Sequence, residues 1–185
     1  MKLTKSLLAS AAVAVLSLSS FAASAQSDPK VGGADMYPTK TIVENAVNSP
    51  IHKTLVAAVK AASLVDTLNS AGPFTVFAPT DDAFAKLPAG TVGTLVKPES
   101  HDTLVKILTY HVVPGKISTK DIMEAIKAGG GKATMKTVEG EDLTFTASGK
   151  KITLTDAKGG TSTITIANVY QSNGVIQVVD TVLMP

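Results

Sequence analysis

An α+β fold is predicted by three observations. Apolar residues recur mostly at helical spacing from Ile42 to Ile126. Beyond Gly129-Gly130-Gly131 the period becomes two, the pattern of half-buried strands. Helices come first and hairpins later, which argues against a regular βαβ alternation.

Taken in order, residues 26–40 mix Gly, Pro and charge without hydrophobic period and are expected to be a flexible lead-in. A single domain is expected over residues 41–185. Ile42, Val43 and Ala46 open a first helix. After Ser49-Pro50, one run places Leu55, Val56, Val59, Ala62 and Val65 on a common face. Asn69-Ser70-Ala71-Gly72-Pro73 stops it. Phe74 to Ala78, aromatic and β-branched, is expected to be a buried strand that Pro79 ends for want of an N–H. Helices are expected over Asp81–Leu87, Val92–Val96 and Thr103–Leu108, then a strand over Tyr110–Val113 closed by Pro114-Gly115. Ser118 or Thr119 caps a helix through Ile122 and Ile126, with Asp121 near its positive end. Leu143/Phe145, Ile152/Leu154 and Ile164/Ile166 mark strands, separated by turns at Gly149-Lys150 and Lys158-Gly159-Gly160. Gly174 to Asp180 is the last strand.

Residues 1–25 are a different kind of segment. Lys2 and Lys5 precede an apolar, small-residue run, and Ala23-Ser24-Ala25 has the A-x-A form of a secretory cleavage site. The apolar core is short for a membrane span. Cleavage near Ala25 is expected to release a secreted or periplasmic protein without a membrane anchor. Losing Lys2 and Lys5 changes the balance of 17 Lys+Arg against 15 Asp+Glu to 15 against 15. Every cation is lysine, and there is no tryptophan. Arginine is the residue best suited to bidentate phosphate and base recognition, so nucleic-acid binding is not expected. The absence of cysteine rules out disulfides, thiol catalysis and thiolate metal sites.

No catalytic constellation stands out. His52, His101 and His111 include no pair at i, i+4, the spacing that sets two imidazoles on one helix face. The G-x-S-x-G elbow of hydrolases is absent. Gly129-Gly130-Gly131-Lys132-Ala133 has Ala133 where a phosphate loop needs Ser or Thr, and it follows a helix instead of opening one. Glu139-Gly140-Glu141-Asp142 lacks the ligand spacing of a calcium loop and is expected to be a hairpin turn. Asn48-Ser49-Pro50 is not a glycosylation acceptor. Asp81-Asp82 is explained as a helix start, with Thr80 or Asp81 as cap and Asp82 in the first turn. His111, in the apolar setting LVKILTYHVV, has the features of a core histidine held by a buried acceptor. An enzyme is therefore not expected, and neither a metal nor a cofactor is.

Three stretches nevertheless line up with a known family. TVFAPTDDAF (75–84), Tyr110-His111 and NGVIQVVDTVLMP (173–185) resemble, in order, the two signature boxes of the fasciclin domain and the motif between them. The resemblance implies a β-wedge of about seven strands flanked by several helices. It makes Thr75, Phe77, Pro79, Thr80, Asp81, Phe84, Asn173, Gly174, Gln177 and Asp180 signature residues, and Tyr110 and His111 an adhesion or interaction motif. It also implies an exported, non-catalytic module in cell adhesion, matrix contact or host interaction, with a protein or surface partner. Carriage of an apolar small molecule, a carotenoid or lipid, is the alternative it implies. Two departures stand out. Gln177 replaces a frequent His, and Asn168-Val169 stands where animal members have Asp-Ile, so integrin binding is not transferred.

Overall fold

The computed structural model describes residues 28–185. The leader and its cleavage site lie outside the described residues. In chain order the elements are α1 (Ile42–Asn48), α2 (Lys53–Ala61), α3 (Val65–Asn69), β1 (Phe74–Pro79), α4 (Asp81–Ala85), α5 (Thr91–Leu95), a 3₁₀ turn (Pro98–Ser100), α6 (His101–Tyr110), β2 (Val112–Pro114), α7 (Thr119–Ala128), β3 (Lys132–Lys136), β4 (Asp142–Ser148), β5 (Lys151–Thr155), β6 (Thr161–Gln171) and β7 (Gly174–Val179). The α+β architecture and the seven-stranded sheet expected above are both present.

The strands run in the order β2-β1-β7-β6-β5-β4-β3. β1 pairs parallel with β7, Val76 opposite Ile176 and Phe77 opposite Gln177. The other pairings are antiparallel. The two ends of the sheet approach each other where the Val138 N–H donates to the Val112 carbonyl at 2.8 Å. Strong twist thus bends the sheet into a nearly closed wedge, which protects its edges.

Alternation along β1 sends side chains into two cores. Val76 and Ala78 join Ile42, Leu55, Val59, Leu104 and Leu108 under the first six helices. Phe77 points the other way, 5.4 Å from Phe145, among Tyr110, Ile122, Leu143 and Leu154. A single apolar sheet face would need one cover; this sheet has helices on one side and its own curl plus α7 on the other.

Four local differences from expectation have clear causes. The run from Leu55 to Val65 breaks in two, because Ser63 takes a left-handed φ of 55° between α2 and α3. Pro79 does not end β1 early; it remains opposite Val179, since it is the last residue and needs no further N–H. Tyr110 ends α6 and His111 caps it, so the expected strand shrinks to Val112–Pro114. The lead-in is packed where it is described: Val31 and Met36 are buried in the helical core.

Thr80 and Asp81 serve two different helices. Thr80 caps α4, its Oγ1 accepting from the Ala83 N–H at 3.2 Å. Asp81 instead reaches the start of α2, accepting from Thr54 N at 2.8 Å and Lys53 N at 3.4 Å. Burial alone raises the Asp81 pKa, but the hydrogen bonds from Thr54 and Lys53 outweigh it and hold it below the ordinary value. Asp81→Ala is expected to destabilise the fold by about 1 kcal/mol, the usual scale for a lost cap. Urea denaturation at pH 7 checks this, and an unchanged midpoint would remove Asp81 from the capping role.

Candidate functional site

Tyr110 and His111, the motif the resemblance links to adhesion, are inside the protein, with 0 % and 2 % exposure. For His111 this is the core placement expected from its apolar setting. The Tyr110 hydroxyl donates to the Asp142 carbonyl and accepts from the Ala157 N–H, both at 3.1 Å. The pair of bonds ties the end of α6 to β4 and to the turn after β5. Burial raises the phenol's pKa. His111 uses both ring nitrogens. Nδ1 donates to the Ile107 carbonyl at 2.8 Å, and Nε2 accepts from the Leu183 N–H at 3.0 Å. The ring is therefore the neutral Nδ1–H tautomer, and burial lowers its pKa from 6.5 to about 4.

The signature residues act as junctions. Thr75 Oγ1 donates to Gly115 O at 2.6 Å and accepts from Ile117 N at 2.8 Å. Asn173 accepts from Ile42 N at 3.0 Å and donates to Leu68 O at 2.7 Å and Ser70 O at 3.0 Å, so one side chain pins α1 and α3 to β7. Gly174 lies so close to the Phe74 carbonyl that a Cβ there would clash with backbone. Gln177 is wholly buried, its Oε1 accepting from Asn168 N at 2.9 Å and its Nε2 donating to Ile117 O at 3.2 Å. Asn168, at φ 58° in a bulge of β6, hydrogen-bonds Thr119 through both side-chain ends at 2.8 Å. Asp180 accepts from Thr163 N at 2.9 Å. Phe84 is buried in the helical core. None of these residues converges on a reacting centre.

The chain belongs to the fasciclin domain family. A family model described as "Fasciclin domain" matches residues 50–185. "Protein sll1483" of Synechocystis is 51% identical over 145 residues, covering 78% of this chain and 73% of that protein. The immunogenic protein MPB70 of Mycobacterium bovis is 38% identical over 76% of this chain and 66% of its own length. The cell surface glycolipoprotein MPB83 of the same species is 36% identical over 84% of this chain and 64% of its own. A solved FAS1 domain pair from the insect cell adhesion molecule fasciclin I superposes with a TM-score of 0.70 at 19% identity, over 80% of this chain and 52% of that one; this shows a shared fold.

The fasciclin domain here has one further feature that sequence reasoning missed, an apolar crevice between the helices and β1. Its volume is about 60 Å³, and it opens to solvent on one side. Leu55, Val56 and Val59 of α2, Val76 of β1, Leu108 of α6 and Ile176 of β7 are among its lining. His52 lines it as well, and its Nδ1 lies 2.8 Å from the Ser49 hydroxyl. Sequence periodicity marks these side chains as core and carries no sign of a gap between them. Among the described residues no group of three or more His, Asp or Glu is placed to hold a metal ion. No helix among them is long and apolar enough to cross a membrane.

Proposed function

We propose that this fasciclin domain is an exported, non-catalytic binding module that makes contacts at a cell surface or matrix. The observation that carries this reading is the family relationship, in which one relative is named a cell surface glycolipoprotein and the structural neighbour belongs to a cell adhesion molecule. The signature side chains support it: each is spent on joining elements, and none is presented as a nucleophile or acid-base pair. Tyr110 and His111 serve this function from inside, by fixing the wedge on which the contact surface is built. Tyr37, Val47, Val96 and Val138 are the exposed large apolar side chains among the described residues; Val138, 44% exposed, lines the crevice, and Val47, 52% exposed, lies on α1. Cell attachment to immobilised protein tests the reading. A Val47→Glu, Val138→Glu double variant is expected to keep the wild-type melting curve and to reduce attachment several-fold. Negligible attachment to the folded wild-type protein would count against the proposal.

A second reading, carriage of an apolar small molecule, is favoured by the crevice. Its apolar lining is that of a binding cleft. Native-host protein analysed by mass spectrometry for a co-purifying apolar molecule is the direct check.

A further inference from the structure

The outer face of the sheet from β3 to β6 has no part in the contacts described above. Register sets its side chains in rows. Thr134, Thr144, Thr155 and Thr161 stand opposite one another on four successive strands. The next row is Lys132, Thr146, Thr153 and Thr163. The alternate residues, Leu143 and Phe145 among them, point the other way into the second core, where Ile122 and Ile126 of α7 meet them. The threonine face has no such cover, and each of its seven threonines is exposed or partly exposed. Among the described residues the hydroxyls of β6 that hydrogen-bond to protein are those of Ser162 and Thr165, and none of the seven is engaged.

Charge around the rows is one-sided. Lys151, opposite Ser148, continues the face beyond the second row, and Lys150 adjoins it in the turn. Lys132, Lys150 and Lys151 are exposed, while the lysine ion pairs among the described residues use other side chains. The acids at the far end are already taken. Asp142 pairs with Lys136 at 3.6 Å, and Glu139 and Glu141 turn to Lys106 of α6. An ordinary solvent-facing surface intersperses charges of both signs. This one presents unengaged hydroxyls in register and unpaired positive charge at one end.

Resting on the surface-contact reading, we propose that the threonine rows bind a carboxylated polysaccharide, a chain of uronate sugars laid across the strands with carboxylates toward Lys132 and Lys151. The chemistry follows from the face. Neither row holds an aromatic ring on which a base could stack, or a large apolar side chain to enter a bilayer. The rows offer hydroxyls that both donate and accept, the complement of sugar hydroxyls. Threonine is stiff at χ1 and the strands are fixed by pairing, so little freedom is lost on binding. Strands lie about 4.8 Å apart, comparable to one pyranose repeat, so successive sugars meet successive threonines. Lys132 and Lys151 are roughly 12 Å apart, two strands across and two residues along. Charge so dilute suits one carboxylate per sugar and not clustered sulfates. The chain also has no arginine for bidentate recognition of sulfate or phosphate.

Hexagalacturonate and its methyl ester form a matched pair of probes, one backbone with and without charge. Titration of the folded protein followed by backbone amide NMR locates and quantifies each. The acid should shift the amides of Thr144, Thr146, Thr153 and Thr155, and the ester should bind there about tenfold more weakly. A Thr144→Val, Thr155→Val variant keeps strand-forming side chains and removes two hydroxyls. It should keep the wild-type melting curve and weaken both probes by about tenfold. A Lys132→Gln, Lys151→Gln variant should weaken the acid by about tenfold and leave the ester within about twofold. The same change at Lys53 and Lys97, exposed on the helical side, should alter neither. Equal loss in that control would reduce the effect to non-specific charge attraction and overturn the site. Unchanged affinity in the threonine variant would overturn the hydroxyl rows. Binding to phosphatidylglycerol vesicles that the face variants abolish, with no response to hexagalacturonate, would overturn the polysaccharide in favour of lipid. If hexagalacturonate fails to bind while cells still attach, the polysaccharide is overturned and the surface-contact reading stands. If it binds and cells do not attach, the surface-contact reading falls and the site stands.

Discussion

Acidification from pH 7 to pH 4 is expected to destabilise this protein by about 3 kcal/mol through His111 alone. Its pKa is lowered from 6.5 to about 4 by burial, with the Ile107 carbonyl and Asp156 opposing that shift. One pKa unit corresponds to about 1.4 kcal/mol, which sets the size. The sign follows from proton counting. Between pH 6.5 and about 4 the unfolded chain binds a proton on this ring and the folded chain does not, so stability falls as the pH falls through that window. It is fully present above 6.5 and levels off below 4. The geometry gives the same answer without electrostatics. Nε2 accepts from the Leu183 N–H, and a proton there would set two donors face to face. His52, lowered by burial as well, adds in the same direction. Urea denaturation at pH 7 and pH 4.5 measures the effect. His111→Leu should be less stable at pH 7 and should lose most of the difference between the two values. An unchanged pH slope in that variant would show that His111 does not carry it.

Much of the fold was readable from local signals, and the failures share a physical origin. Ser118 and Asp121 lie three residues apart, and the reciprocal capping box they form is a local device that sequence spacing reports. The hairpins of β4, β5 and β6 were legible because alternation and glycine turns agree. The helix end within LVKILTYHVV was misplaced because buried residues continue on both sides of it: periodicity does not separate a buried helix end from a buried strand, and α6 runs on to Tyr110. Asp81 was assigned to its own helix because capping is ordinarily local. Its actual partner, Thr54, is 27 residues away and is brought there only when β1 and α2 pack. The candidate site divides in the same way. The signature residues were recognisable, but their burial depends on a sheet whose register sequence alone does not supply. The crevice was invisible, since a gap among core side chains leaves no mark in the pattern that predicts the core.

Tyr110→Ala is expected to cost about 4 kcal/mol, the largest single effect among these substitutions. Truncating a wholly buried aromatic side chain is worth about 3–5 kcal/mol, because the lost contacts leave a cavity the surroundings fill only in part. Tyr110 has 0 % exposure and packs with Phe77, Phe145, Leu143 and Leu154 in the second core. Its hydroxyl is a separate contribution. Without it the Asp142 carbonyl and the Ala157 N–H lose their shared partner. Asp142 is the first residue of β4 and Ala157 is in the turn after β5, where water can replace part of the bond, so Tyr110→Phe should cost only about 1 kcal/mol. Equilibrium denaturation of the three proteins at pH 7 separates ring from hydroxyl. This ordering also decides how an adhesion experiment on the motif must be read. Lost attachment in Tyr110→Ala reports lost structure unless the variant is shown to be folded. Tyr110→Phe keeps the wedge and removes one polar atom, so it asks whether the hydroxyl itself touches a partner. Because that hydroxyl is already spent between β4 and the turn after β5, Tyr110→Phe is expected to attach as well as the wild type. A folded Tyr110→Phe protein with attachment abolished would place Tyr110 at the contact after all, and the buried geometry would then have to open for binding.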